Sequence, residues 1–207
     1  MSKILALFIL FVVCVLPASA FAQATPTTGV YFNNVPGYTT GTTPLTRPAN
    51  TTPYAANETV CTATSVTVCP PVAISIANVF AGQGLINRFS MLKSGSATTN
   101  ATFIWWLYSA APGTATPNQY DATSYTGPRA ADMPNYIGNA TCSTGIVTSD
   151  ATTQVWYECT LSNPNTAGVL DFKALAGGTT INAILSVTAA YTPASGETFT
   201  PYVSGFY

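Results

Sequence analysis

The side chains able to do chemistry are few. The acids are Glu58, Asp121, Asp132, Asp150, Glu158, Asp171 and Glu197. Paired carboxylates can cleave glycosidic bonds as acid and base or nucleophile, but none of these stands in a recognisable acid/base motif. Asp121 and Asp132 share a stretch with Tyr120, Tyr125, Arg129 and Tyr136. Those residue types in one loop would line a polar-aromatic pocket, and loops collect such residues in any case. The chain has no His, which excludes a His-ligated metal and a His-based triad. It has no G-x-S-x-G elbow, no phosphate-cradling glycine loop and no Asp-rich calcium loop. The expectation is a non-enzymatic protein with no catalytic, metal or cofactor residues.

Cysteine chemistry is better marked. Cys14 lies in an apolar N-terminal run, which leaves Cys61, Cys69, Cys142 and Cys159. Four cysteines in an exported chain read as two disulfides, with three connectivities open. The local pairs, Cys61 with Cys69 and Cys142 with Cys159, are preferred because each brackets adjacent strands or a short hairpin. Each closure is worth roughly 2.5–3 kcal/mol. Zinc is disfavoured because neither pair has tight C-x-x-C-like spacing.

Export is read from residues 1–22. Lys3 gives the positive start and residues 4–16 the apolar run. Pro17 follows, and then Ala18-Ser19-Ala20 or Ala20-Phe21-Ala22 as a cleavage site. The run is short of the roughly 20 residues of a membrane span. A signal peptide is expected, with no stable membrane span after cleavage and a secreted, periplasmic or cell-surface location.

Aromatic side chains are the remaining candidates. In Phe103-Ile104-Trp105-Trp106-Leu107-Tyr108, strand alternation puts Phe103, Trp105 and Leu107 on one face and Ile104, Trp106 and Tyr108 on the other. Both faces are apolar, as in a central strand covered on both sides. The other reading leaves one face open as a platform for sugar rings or a contact with another subunit. In Trp156-Tyr157 only one ring can serve such a platform, because neighbours point to opposite faces. The binding candidates are Trp106, Tyr108, Trp156, Tyr120 and Tyr125.

The elements that must position these groups are strands. Residues 59–68, 72–80, 85–92, 101–109, 153–161, 168–173, 180–191 and 199–207 are rich in Val, Thr and aromatics, bounded by Gly, Pro, Asn and Ser. Val72, Ile74 and Ile76 alternate with Ala73, Ser75 and Ala77. No long stripe of helical period appears. The fold expected is all-β: a single jelly-roll-like β-sandwich over 59–207. Residues 23–58 are rich in Thr and Pro and read as an extended arm, or as a cover over a sheet. Charged residues are 6% of the 207, with 6 Lys+Arg against 7 Asp+Glu. That is too few cations to bind nucleic acid through its phosphates. Sequons at Asn50, Asn57, Asn100 and Asn139 would mark surface loops.

Three segments carry a resemblance. They are Thr46-Arg47-Pro48-Ala49-Asn50-Thr51-Thr52-Pro53-Tyr54-Ala55-Ala56, then Phe103 onward to Pro112, then Ala189-Ala190-Tyr191-Thr192-Pro193-Ala194-Ser195-Gly196-Glu197-Thr198-Phe199. In this order the chain resembles small β-rich virion-associated structural proteins of tailed bacteriophages and prophages. The likeness runs from Thr46 nearly to the C-terminus and is most specific in the first and last segments. It implies an all-β domain acting by binding and assembly, with no catalytic residues to carry over. The chain differs in its export signal, its four mature cysteines, and apolar Ile104 and Trp106 where that pattern tends to be polar.

The functional expectation is an exported structural or adhesive protein acting by surface contact. Its partners would be copies of itself or another structural protein, with a glycan as a further possibility. The alternatives are a pilin-like fibre subunit and a carbohydrate-binding module using surface aromatics. A small outer-membrane barrel fits less well, because Pro201 interrupts its terminal strand.

Overall fold

The computed structural model describes residues 37–38, 44–62, 69–76, 83–95, 101–113, 122, 124–148, 154–163, 168–173 and 180–206. All of these fall in one unit, Asn33–Tyr207. The expected signal peptide lies outside the described residues.

The described elements are strands: β1 (Gly37–Tyr38), β2 (Leu45–Thr46), β3 (Thr59–Val60), β4 (Val72–Ser75), β5 (Gln83–Ser94) and β6 (Phe103–Tyr108). A 3₁₀ turn (Met133–Asn135) follows, then β7 (Tyr136–Cys142), β8 (Gly145–Val147), β9 (Gln154–Ser162), β10 (Leu170–Lys173), β11 (Thr180–Val187) and β12 (Thr198–Phe206). The class is all-β. Every pairing is antiparallel, in the order β1-β12-β5-β9-β7-β6-β11-β3. The hydrogen-bonded path is continuous because β9 serves both halves. Residues 154–159 pair with β5, while Thr160 and Leu161 pair with β7. The result is one curled sheet whose two halves face each other across the core.

Alternation decides what enters that core. Phe103, Trp105 and Leu107 on β6 are fully buried. They meet Phe89 and Met91 from β5, Tyr157 from β9 and Phe199 from β12. The Phe103 ring is edge-on to Tyr157, Tyr191 and Phe199 at 5.3–5.7 Å between centroids, a favoured aromatic geometry. Ile74 and Ile76 are buried while Ala73 and Ser75 are exposed, as the alternation of that segment predicts.

Of the two readings of residues 23–58, the described part 44–58 follows the cover over a sheet. Leu45, Arg47 and Tyr54 are buried, and Tyr54 exchanges backbone hydrogen bonds with Tyr191. Tyr136 does not lie in a loop but opens β7, an internal strand between β6 and β9. Asn139 sits within that strand and bonds Tyr136, so its sequon does not mark a loop. Pro201 is accommodated inside β12, between the stretches paired with β2 and with β1 on the outer edge.

The segments that carry the resemblance meet in space around buried charge. Lys93 Nζ donates to Glu197 Oε1 at 2.8 Å, and both side chains are fully buried. Tyr191 Oη donates to Glu197 Oε2 at 2.6 Å. Arg47 is 2% exposed and donates to Tyr54 Oη, Asn50 Oδ1 and the Ala194 carbonyl. Its backbone N–H reaches the Glu197 carbonyl. Buried charges persist only when paired and hydrogen-bonded, so this network fixes the first and last segments against each other.

Two disulfides brace the sheet with the local pairing. Cys61–Cys69 spans 5.5 Å between Cα atoms, and Cys142–Cys159 spans 4.2 Å. The β7–β9 register ends at Thr141 opposite Thr160, so Cys142 and Cys159 fall directly opposite as the next pair. Such bonds belong to an oxidising compartment. Among the described residues, no helix is long and apolar enough to cross a membrane.

Candidate functional site

Two aromatic clusters lie outside the core, and they differ in what covers them. The first sits behind β6. Tyr108 and Tyr125 are buried and bond through their hydroxyls. The Trp106 ring is edge-on to Tyr125 at 5.7 Å and tilted against Tyr136 at 6.4 Å. Its indole N–H donates to Ser186 Oγ at 2.9 Å. Burial pushes the Tyr108, Tyr125 and Tyr136 hydroxyls up from their ordinary pKa, Tyr108 further through its bond to Tyr125.

A clasp from the following loop closes this cluster. Asp132 accepts from Arg129 Nε at 2.6 Å and from the Gly113 N–H at 2.9 Å, and Arg129 donates back to the Gly113 carbonyl. The loop in which Asp132, Arg129 and Tyr125 gather is therefore spent on holding itself over β6. Trp106, Tyr108 and Tyr125 form a satellite core, not an open platform. Tyr120 and Asp121 lie outside the described residues.

The second cluster stands on the outer face of β5, β8, β9 and β12. Cross-strand partners share a face. One row therefore runs from Ile146 through Trp156 and Leu92 to Thr200. The next runs from Glu158 through Ser90 to Tyr202, and Arg88 opposite Ser204 lies beyond it. Ile146 is 66% exposed and Tyr202 38% exposed. Trp156 and Leu92 are part-buried.

The rings of this face lie down on the sheet. Trp156 and Tyr202 are two strands apart, about 10 Å in backbone spacing. Their centroids are 5.2 Å apart with planes at 40°, so both rings lean over β5. The Trp156 indole N–H donates to Glu158 Oε1 at 2.8 Å, two residues on along the same face. Glu158 also accepts from Arg88 Nε at 3.0 Å and Ser90 Oγ at 2.9 Å, and Arg88 forms a second contact to its other oxygen. The bond to Arg88 is the main reason its carboxyl is held down at about 2, against an ordinary 4.5.

Of the sequence candidates among the described residues, only Trp156 belongs to this face. Tyr202, Leu92, Ile146, Arg88 and Ser90 were not singled out by sequence, and Glu158 was named only among the acids. Alternation within β5 and β9 was a usable signal, since Arg88, Ser90 and Leu92 oppose Phe89, Met91 and Lys93. The cross-strand register that joins four strands into one surface was not.

Searches of protein-family models, curated proteins and solved structures found no match to this chain.

Proposed function

We propose that this chain is an exported, disulfide-braced, non-enzymatic protein that works by surface contact, in a structural or adhesive role, through the outer face of β5, β8, β9 and β12. The observation that carries the reading is the outward row of Ile146, Trp156 and Leu92 with Tyr202 leaning beside it. Aromatic and apolar anchors of this kind dominate contact energies. Several acids support a non-enzymatic role by their partners: Glu197 binds Lys93 and Tyr191, Asp132 binds Arg129, and Glu58 accepts from the Ala55 N–H. The low charge leaves little repulsion between surfaces. The expected export signal and the two disulfides support a location outside the cytoplasm, and the resemblance to virion-associated proteins supports action by binding and assembly.

The test is retention of the oxidised protein on immobilised polysaccharides and on an immobilised copy of itself. Ile146→Lys, which puts a charge into the exposed row, abolishes retention, while Met133→Lys on the clasp leaves it intact. Equal retention of Ile146→Lys and wild type would contradict the reading.

A further inference from the structure

We infer that the outer face binds a neutral pyranose within a polysaccharide chain, seated on Trp156 and Tyr202. This rests on the contact reading above and names its partner. Three features of the face select that chemistry.

The first is the pair of rings. Tyr202, 38% exposed, and the part-buried Trp156 lean together over β5. Pyranoses carry C–H groups on the flat faces of the ring, and these pack against aromatic faces. The second feature is the polar row beside the rings. Arg88, Ser90 and Glu158 are locked to one another and to the Trp156 indole. Arg88 and Glu158, both exposed, supply fixed donors and acceptors beside the rings, while Ser90, 3% exposed, holds Glu158 from beneath. Glu158 is a positioning residue here, since it orients the indole.

The third feature is charge. Arg88 and Glu158 neutralise each other in an exposed ion pair. An anionic sugar would find no uncompensated cation beside the rings, and a cationic ligand no uncompensated anion. A nucleic acid would lack phosphate partners. The face is an open sheet surface, which suits an internal residue of a long or insoluble chain.

Binding is measured by depletion of the oxidised full-length protein onto insoluble cellulose, chitin and starch granules, with polygalacturonate as the anionic comparison. The expected result is retention on at least one neutral polymer and none on polygalacturonate. Trp156→Ala and Tyr202→Ala each weaken retention by about tenfold or more, with the far-ultraviolet circular dichroism of the wild type. Trp156→Phe, which keeps a ring, restores most of the binding. No retention on any neutral polymer, or retention indifferent to both alanine variants, overturns the inference. Sedimentation velocity on the same variants separates the two proposals. If sugars fail while Trp156→Ala reduces self-association, the sugar inference falls and the contact reading stands. If neither property depends on Trp156 or Tyr202, both fall.

Discussion

Glu197 ties β5 to the last segment through a single carboxylate. It takes Lys93 and Tyr191 on separate oxygens in a fully buried setting. Removing one partner of such a pair leaves the other charge stranded, so Glu197→Ala is expected to destabilise the protein by about 3–5 kcal/mol. Denaturant unfolding checks this; a loss below about 1 kcal/mol would contradict it. The tyrosines set the alkaline limit. Tyr108, Tyr125, Tyr157 and Tyr191 are all pushed up, chiefly by burial. The fold favours their neutral forms, so their stabilisation is complete below about pH 10 and is lost as pH rises beyond it. The phenolate absorbance of these buried tyrosines should therefore appear together with the loss of far-ultraviolet circular dichroism above that pH, after the exposed tyrosines have ionised. At the other end, Glu158 is held at about 2 against an ordinary 4.5. Its contribution is present above the higher value and lost as pH falls toward the lower one. It is small, because the side chain is 48% exposed. The Trp156 emission, isolated by subtracting a Trp156→Phe spectrum, should hold steady from neutral to about pH 5. It should shift as pH falls toward the lower value of about 2.

Among the elements, β7 and β9 hold the two halves of the sheet together. Cys142–Cys159 clamps them where their ladder ends. Replacing both cysteines by Ser is expected to cost about 3 kcal/mol for a loop of this length, read as a lower urea midpoint. An unchanged midpoint would contradict that role. These elements also show what sequence could reveal. The strands around Trp105 and Trp156 were legible from dense aromatic and β-branched residues between turn residues. The disulfides were legible because both partners are local. β7 was not, because Gly138, Asn139 and Ala140 carry no strand preference. The reason for the small residues is visible only in the fold. A Cβ on Gly138, whose φ is +153°, would stand 2.7 Å from both Leu170 Cδ2 and the Ser162 carbonyl. The burial of Arg47, Lys93 and Glu197 was equally hidden, since charge alone reads as surface. Strand pattern also put Tyr108 on an apolar outer face without showing the clasp that covers it.

At the scale of the molecule, one curled sheet presents two outer faces with different fates. The face behind β6 is closed by the Arg129–Asp132 clasp. The face over β5 keeps exposed Ile146 and Tyr202. Low charge matters most on that second face, where an exposed ion pair leaves no net charge beside the rings. The most direct test compares the oxidised wild type with a Trp156→Ala/Tyr202→Ala variant on one set of surfaces: neutral polysaccharide, polygalacturonate and an immobilised copy of the protein. The account predicts that wild type is retained on the neutral polysaccharide or on the immobilised copy but not on polygalacturonate, and the variant on none, with both proteins folded by far-ultraviolet circular dichroism. Equal retention of the two proteins, or no retention of wild type on any surface, would contradict it.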